Sequence, residues 1–134
     1  MELVKKTILI VEDETSQLKA LTEKFTREGF NVLDAKNGEE GLTVALENQP
    51  DIILLDILMP QMNGVDMLKK LRQDTWGKTV PVILLTNLNA DDDSVVNMIR
   101  EATEATQDEA ANYLVKSNWT IDDVVKKVRE KLSQ

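Results

Sequence analysis

The most informative part of this sequence is a short apolar run that ends in an acid. Residues 52–55 read Ile-Ile-Leu-Leu, Asp56 follows directly, and Pro50 and Pro60 lie on either side. A continuous apolar run of this length is typical of a strand buried on both faces, as in the interior of a parallel sheet. Asp56 would then lie at the carboxyl end of that strand, the edge at which open α/β sheets bind their ligands.

Similar runs recur along the chain and alternate with helical patterns. The predicted strands are 7–11, 31–35, 52–56, 82–86 and 113–115. Five strands alternating with five amphipathic helices predict an α/β fold with a doubly wound, five-stranded parallel sheet. Right-handed crossovers would place the carboxyl ends of all strands at one edge. We expect a single domain over residues 1–134, with no room for an effector domain after the last helix.

Local signals place several of the helices. The second helix is predicted after Asn37, and its apolar residues are Leu42, Ala45 and Leu46. A long amphipathic fourth helix is predicted over residues 92–106. The last helix is predicted to begin at a capping box, in which Thr120 and Asp123 satisfy each other's backbone N–H groups.

Composition narrows the function classes. The formal net charge is −8, and a negative surface repels nucleic acids and anionic membranes, so we expect neither as a direct partner. The sequence has no cysteine and no histidine, which excludes disulfides, thiol nucleophiles and the commonest metal ligand. A bound metal would be held by oxygen, which favours a hard cation such as Mg²⁺. No segment resembles a signal peptide or a membrane span, and we expect a cytoplasmic protein.

The predicted strand ends bring together a set of reactive side chains. They are Glu12 and Asp13 after the first strand, Asp56 at the third, Thr86 at the fourth and Lys116 after the fifth. Two carboxylates about 4 Å apart repel by roughly 4 kcal/mol at an effective dielectric of about 20, and a divalent cation relieves that repulsion. The metal, the lysine and the hydroxyl would suit an incoming phosphoryl group. The central carboxylate is then the candidate nucleophile towards phosphorus.

This arrangement resembles the receiver domain of two-component response regulators, of the stand-alone chemotaxis-regulator (CheY-like) type. The matching motifs, in order, are Glu12-Asp13, Asp56 with Met59-Pro60 and Gly64, Thr86, and Tyr113-Leu114-Val115-Lys116. Each motif is weak alone, but their order and βα spacing are specific, and they extend over essentially the whole chain. The resemblance implies a flavodoxin/CheY-like (βα)5 fold with strand order 2-1-3-4-5.

The resemblance also implies the chemistry. Asp56 would accept a phosphoryl group from a phosphohistidine donor, and Thr86 and Lys116 would contact the phosphoryl oxygens. The implied Mg²⁺ ligands are Asp13, Asp56 and the backbone carbonyl of Leu58, with Glu12 acting through water. Such a protein is a phosphoacceptor signalling domain rather than an enzyme, although it assists its own phosphorylation and dephosphorylation.

In that family, phosphorylation is transmitted by a switch. The hydroxyl of Thr86 would move towards the phosphoryl group, and Tyr113 would move into the space released. The surface formed by the fourth helix, fifth strand and fifth helix would change, and a downstream protein would bind it. The donor must be a separate sensor histidine kinase or histidine phosphotransfer protein, because this sequence has no histidine. A homodimer that forms on phosphorylation is a further option.

Several positions depart from the family pattern. Ser117 follows Lys116 where a cis-proline is usual, and we expect a trans peptide bond there. Leu58 and Leu88 are apolar at positions that influence the attacking water in relatives, which predicts slow self-dephosphorylation. The segment from Thr86 to Lys116 is about two helical turns longer than usual.

Other interpretations share parts of the pattern. A phosphohydrolase of the haloacid-dehalogenase type would need a second aspartate where Leu58 stands, and a flavodoxin-like cofactor carrier would need a Gly/Ser/Thr loop in place of Glu12-Asp13-Glu14. The strongest alternative is a receiver-like protein-interaction module that is not phosphorylated. Singly, the acids could be helix starts or turn residues, and Tyr113 could be core packing.

Overall fold

The central strand of the sheet is β3 (Ile52–Asp56), and all five of its residues are buried, as the sequence predicts. A computed structural model describes residues 5–57, 64–86, 97, 100, 111–115 and 120–133, with the backbone alone for Thr86 and residues 111–115. The other strands are β1 (Thr7–Val11), β2 (Asn31–Ala35), β4 (Val82–Thr86) and β5 (Ala111–Val115). Within the described residues they form one parallel sheet in the order β2-β1-β3-β4-β5. This confirms the predicted topology, and β5 begins two residues earlier than expected.

Helices cover both faces of the sheet. Those described are α1 (Thr15–Arg27), α2 (Gly38–Asn48), α3 (Gly64–Leu71) and the C-terminal helix (Ile121–Leu132). Successive strand residues point to opposite faces. Ile53 and Leu55 therefore pack with α2 and α3, whereas Ile52 and Leu54 pack with α1 and the C-terminal helix. The two apolar layers fix the register of β3 and hence the position of Asp56.

Helix α1 ends in a Schellman motif that directs the chain into β2. The Gly29 N–H donates to the Thr26 carbonyl, and the Phe30 N–H donates to the Phe25 carbonyl. Gly29 has a φ of 94°, a conformation that glycine adopts without steric cost. The rings of Phe25 and Phe30 meet edge to face, with centroids 5.2 Å apart, which is the apolar contact that commonly accompanies this motif.

Helix α2 differs from the sequence prediction on its apolar face. It begins as expected, because the Asn37 side chain accepts from the Glu40 N–H at 2.8 Å. Ala45 is buried, but Leu46 is 40% exposed, so its assignment to the apolar face was wrong. Gly41 is buried instead, because its lack of a side chain lets α2 approach β1 and α3 closely.

The C-terminal helix begins at the predicted capping box, with both the Thr120 and the Asp123 side-chain bonds present. Of the predicted fourth helix, Asn97 and Arg100 are helical, and most of residues 92–106 lie outside the described part. Lys116, Ser117, Leu58 and Leu88 also lie outside it. Among the described residues, no helix is long and apolar enough to cross a bilayer.

Candidate metal centre

Two neighbouring strands bring three acids to one edge of the sheet. β1 and β3 pair in parallel with Val11 opposite Leu55, so the residues that follow Val11 meet the end of β3. Glu12, Asp13 and Asp56 each offer a carboxylate oxygen, and these oxygens lie within 4.8 Å of one another. Segments far apart in sequence thus converge on a single point.

The acids differ in exposure. Glu12 and Asp56 are each 1% exposed, whereas Asp13 is exposed. Buried charges in proteins are normally paired or coordinate a metal. At the separations seen here, each like-charged pair repels by several kcal/mol at an effective dielectric of about 20. The all-oxygen donor set, one ligand open to solvent and two buried, fits a hard divalent cation such as Mg²⁺.

Backbone hydrogen bonds hold both segments in place. The Glu12 N–H donates to the Ala35 carbonyl at 3.0 Å, which ties the residue after β1 to the end of β2. The Ile57 N–H donates to the Leu85 carbonyl at 2.9 Å, which ties the residue after Asp56 to β4. These bonds extend the sheet one residue past the strands, and no sequence motif indicated them.

The start of α1 settles the position of Asp13. Glu14 is the N-cap residue of α1, and its carboxylate accepts from the Ser16 hydroxyl at 2.8 Å. The Glu14 N–H in turn lies 3.4 Å from Oε2 of Glu12. Asp13 therefore lies outside the helix, and its carboxylate belongs to the cluster with Glu12 and Asp56.

The backbone places two of the four remaining candidate residues. Asp56 lies opposite Leu85 in register, so Thr86 is the next residue along β4 at the same edge. Val115 of β5 lies opposite Thr86, and Tyr113 is two positions earlier on that strand. Lys116 and Leu58 lie outside the described residues, and the roles of these four residues stay predictions.

Comparison with known proteins identifies the family. Residues 8–129 match the family described as "Response regulator receiver domain". The chain belongs to this family. The receiver domain is similar to the protein PilH of Pseudomonas aeruginosa, with 36% identity over 88 residues, which are 66% of this chain and 73% of PilH. It is also similar to the response regulator PleD of Caulobacter vibrioides, with 34% identity over 118 residues, 88% of this chain but only 24% of PleD.

The solved structures agree with that assignment. A CheY-like response regulator receiver domain protein from Methanospirillum hungatei superposes on this receiver domain with a TM-score of 0.79 at 27% identity, covering 97% of this chain and 95% of the other. Receiver domains are phosphoacceptor signalling modules that bind Mg²⁺ at an acidic pocket. The Glu12, Asp13 and Asp56 cluster of this receiver domain has the composition of such a pocket.

Proposed function

We propose that this receiver domain acts in phosphorelay signalling by accepting a phosphoryl group on Asp56 in a Mg²⁺-dependent reaction. The observation that carries the proposal is the convergence of Glu12, Asp13 and Asp56, with carboxylate oxygens within 4.8 Å, at the carboxyl edge of a parallel sheet. Asp56 ends the central strand, and β1 and β4 flank it on either side. Of the three acids, Asp56 is therefore the best placed to face side chains that follow both β1 and β4.

The three acids would hold the metal through oxygen, and the family resemblance adds the Leu58 carbonyl. Bound there, Mg²⁺ would neutralise the carboxylates and the negative oxygens of the incoming phosphoryl group. The exposed position of Asp13 leaves the solvent side of the cluster open to the donor. Thr86 follows Leu85 at the same edge, which suits a hydroxyl that contacts a phosphoryl oxygen.

The transfer needs an external donor. A carboxylate oxygen of Asp56 attacks phosphorus, a new O–P bond forms, and the P–N bond to the donor imidazole breaks with the electron pair left on nitrogen. This sequence has no histidine, so the imidazole belongs to a sensor histidine kinase or a histidine phosphotransfer protein. The product is an acyl phosphate on Asp56. Lys116 would pair with its charge, and the domain would assist both this step and the later hydrolysis.

The output would follow from the switch at Thr86 and Tyr113. β5 lies beside β4 at the open edge of the sheet, so a movement at Thr86 has a direct backbone neighbour through which to act. We assign the output to the surface of the predicted fourth helix, β5 and the C-terminal helix, which a downstream protein or a second copy of the chain would bind. The whole process is assigned to the cytoplasm, which suits a sequence without cysteine.

The test is a phosphorylation assay followed by intact mass. With Mg²⁺ and acetyl phosphate, the unmodified protein should gain one phosphoryl group, and the gain should disappear with EDTA or in Asp56→Asn. Asp34→Asn is the matched control, because Asp34 is an exposed aspartate on β2, and it should be modified normally. A folded protein that gains no mass would overturn the proposal and favour an interaction module that is not phosphorylated.

A further inference from the structure

The first residue of α3 lies directly against the end of β3. Gly64 is buried, and its N–H donates to the Ile57 carbonyl at 2.8 Å. Ile57 is the residue after Asp56, so this bond joins the start of α3 to the residue next to the phosphoacceptor. Residues 58–63 lie between the two bonded residues in the sequence.

Position 64 has no space for a side chain. A Cβ atom there would collide with the carbonyl oxygen of Asp56 and lie 2.8 Å from Cα of Ile57. Both are backbone atoms, which cannot rotate aside as the end of a flexible side chain can. Any residue other than glycine would therefore have to displace the Asp56–Ile57 peptide or move α3 away from the sheet.

Neither the Asp56–Ile57 peptide nor α3 can move easily. The Ile57 N–H is bonded to the Leu85 carbonyl at 2.9 Å, and the Ile57 side chain is fully buried. On the other side, α3 packs into the core through Val65, Met67 and Leu68. Close-packed interiors transmit strain instead of absorbing it. The displacement would consequently be felt at Asp56 itself.

We propose that Gly64 is a positioning residue for Asp56, holding the phosphoacceptor peptide at the distance from Glu12 and Asp13 that the metal and the phosphoryl group require. The inference rests on the proposed function. A misplacement of about 1 Å at a reacting group can cost roughly 100-fold in rate. Substitution at position 64 should thus impair the site beyond its effect on stability.

Gly77 offers a matched control. It lies between α3 and β4, at the opposite edge of the sheet, and a Cβ there would collide with the Leu71 carbonyl oxygen. Gly64→Ala and Gly77→Ala therefore introduce the same kind of clash, methyl against backbone carbonyl, at and away from the acids. Both should lower the urea midpoint of unfolding.

The experiment measures the Mg²⁺ dissociation constant by calorimetry and the phosphorylation rate at saturating acetyl phosphate, under conditions in which each variant is folded. Gly64→Ala should bind Mg²⁺ about tenfold more weakly and react 10- to 100-fold more slowly, while Gly77→Ala should stay within about twofold of the unmodified protein. Equal effects of the two variants, or none at the site, would overturn the inference while leaving the proposed function intact. Failure of the unmodified protein itself to bind Mg²⁺ and become phosphorylated would instead reject the proposed function.

A second measurement covers the case in which Gly64→Ala does not fold. In the unmodified protein, hydrogen exchange should show the Gly64 amide as strongly protected as the amides of β3, because its acceptor is the carbonyl of Ile57, a buried residue whose own N–H is bonded to β4. Rapid exchange at Gly64 would mean that the contact does not constrain Asp56, and would overturn the inference.

Discussion

Arg129 of the C-terminal helix and Glu28, just past the end of α1, form an ion pair with Nη2 2.8 Å from Oε1. The same guanidinium nitrogen also donates to the Glu28 backbone carbonyl at 3.3 Å, and the guanidinium carbon lies 5.7 Å from the centroid of the Phe30 ring. The Arg129 side chain therefore joins the C-terminal helix to the turn between α1 and β2.

We predict that Arg129→Ala lowers the free energy of unfolding by about 1 kcal/mol, through loss of the ion pair and the cation–π contact. The value is modest because the Arg129 side chain is 53% exposed and water screens the charges. Lys126→Ala, on the same helix, is the control and should change stability little. Urea unfolding of the single and double variants with Glu28→Ala should show coupling, and strictly additive losses would refute it.

A second prediction concerns charge in the acidic cluster. Glu12→Gln keeps the size and an acceptor oxygen but removes one negative charge, so in EDTA the variant should be more stable by on the order of 1 kcal/mol. With Mg²⁺ at ten times its dissociation constant, the unmodified protein should gain about 1.4 kcal/mol, and the variant should gain much less at that concentration.

The measurement is urea unfolding with EDTA or with Mg²⁺. Glu47→Gln, an exposed acid on α2, is the control and should respond to Mg²⁺ as the unmodified protein does. Two results would contradict the prediction. A Glu12→Gln variant less stable than the unmodified protein in EDTA would refute repulsion among the three carboxylates. A variant still stabilised by Mg²⁺ as much as the unmodified protein would refute a role for Glu12 in binding the metal.

A third prediction compares two helical leucines. Leu21 of α1 is fully buried and Leu46 of α2 is 40% exposed. Leu21→Ala should cost about 2–5 kcal/mol, because it leaves a cavity in the core, and Leu46→Ala less than about 0.5 kcal/mol. Thermal or urea unfolding distinguishes the two, and comparable losses would contradict the packing of α1 described above.

A fourth prediction concerns the turn after α1. Gly29→Ala should destabilise the protein by about 1 kcal/mol, because alanine is strained at a φ of 94°. A Cβ at this position meets nothing within 4 Å, so the loss would come from the backbone alone. Gly29→Asn, which tolerates positive φ better, should lose less. A larger loss for asparagine in urea unfolding would show that another effect dominates.

The sequence predicted β1, β3 and β4 well because their apolar runs are nearly continuous, and it predicted the strand order through the family resemblance. The meeting of Glu12, Asp13 and Asp56 followed from one rule, that parallel strands end at one edge. Leu46 was assigned wrongly because glycine has no hydrophobicity to reveal that Gly41, rather than the leucine, faces the sheet. Hydrophobic periodicity identifies apolar side chains and cannot identify a position at which a missing side chain allows close packing.

Other features had no signal in the residues. Arg72 is a charged residue in a turn, a residue type and position that are usually exposed. It is nevertheless buried. Its Nη1 donates to the Gly77 carbonyl at 2.7 Å and to the Val80 carbonyl at 2.6 Å. Similarly, the contact of Gly64 with the Asp56 peptide depends on the path of the chain between them. Such contacts are set by tertiary packing, which local patterns do not encode.

The strand order has a consequence for how the site is made during synthesis. β1 emerges from the ribosome first but occupies an interior place, with β2 on one side and β3 on the other. A nascent chain that stops before β3 carries Glu12 and Asp13 without their third partner. Metal affinity should therefore arise only after β3 has been synthesised and has docked beside β1, because Asp56 is the last residue of β3.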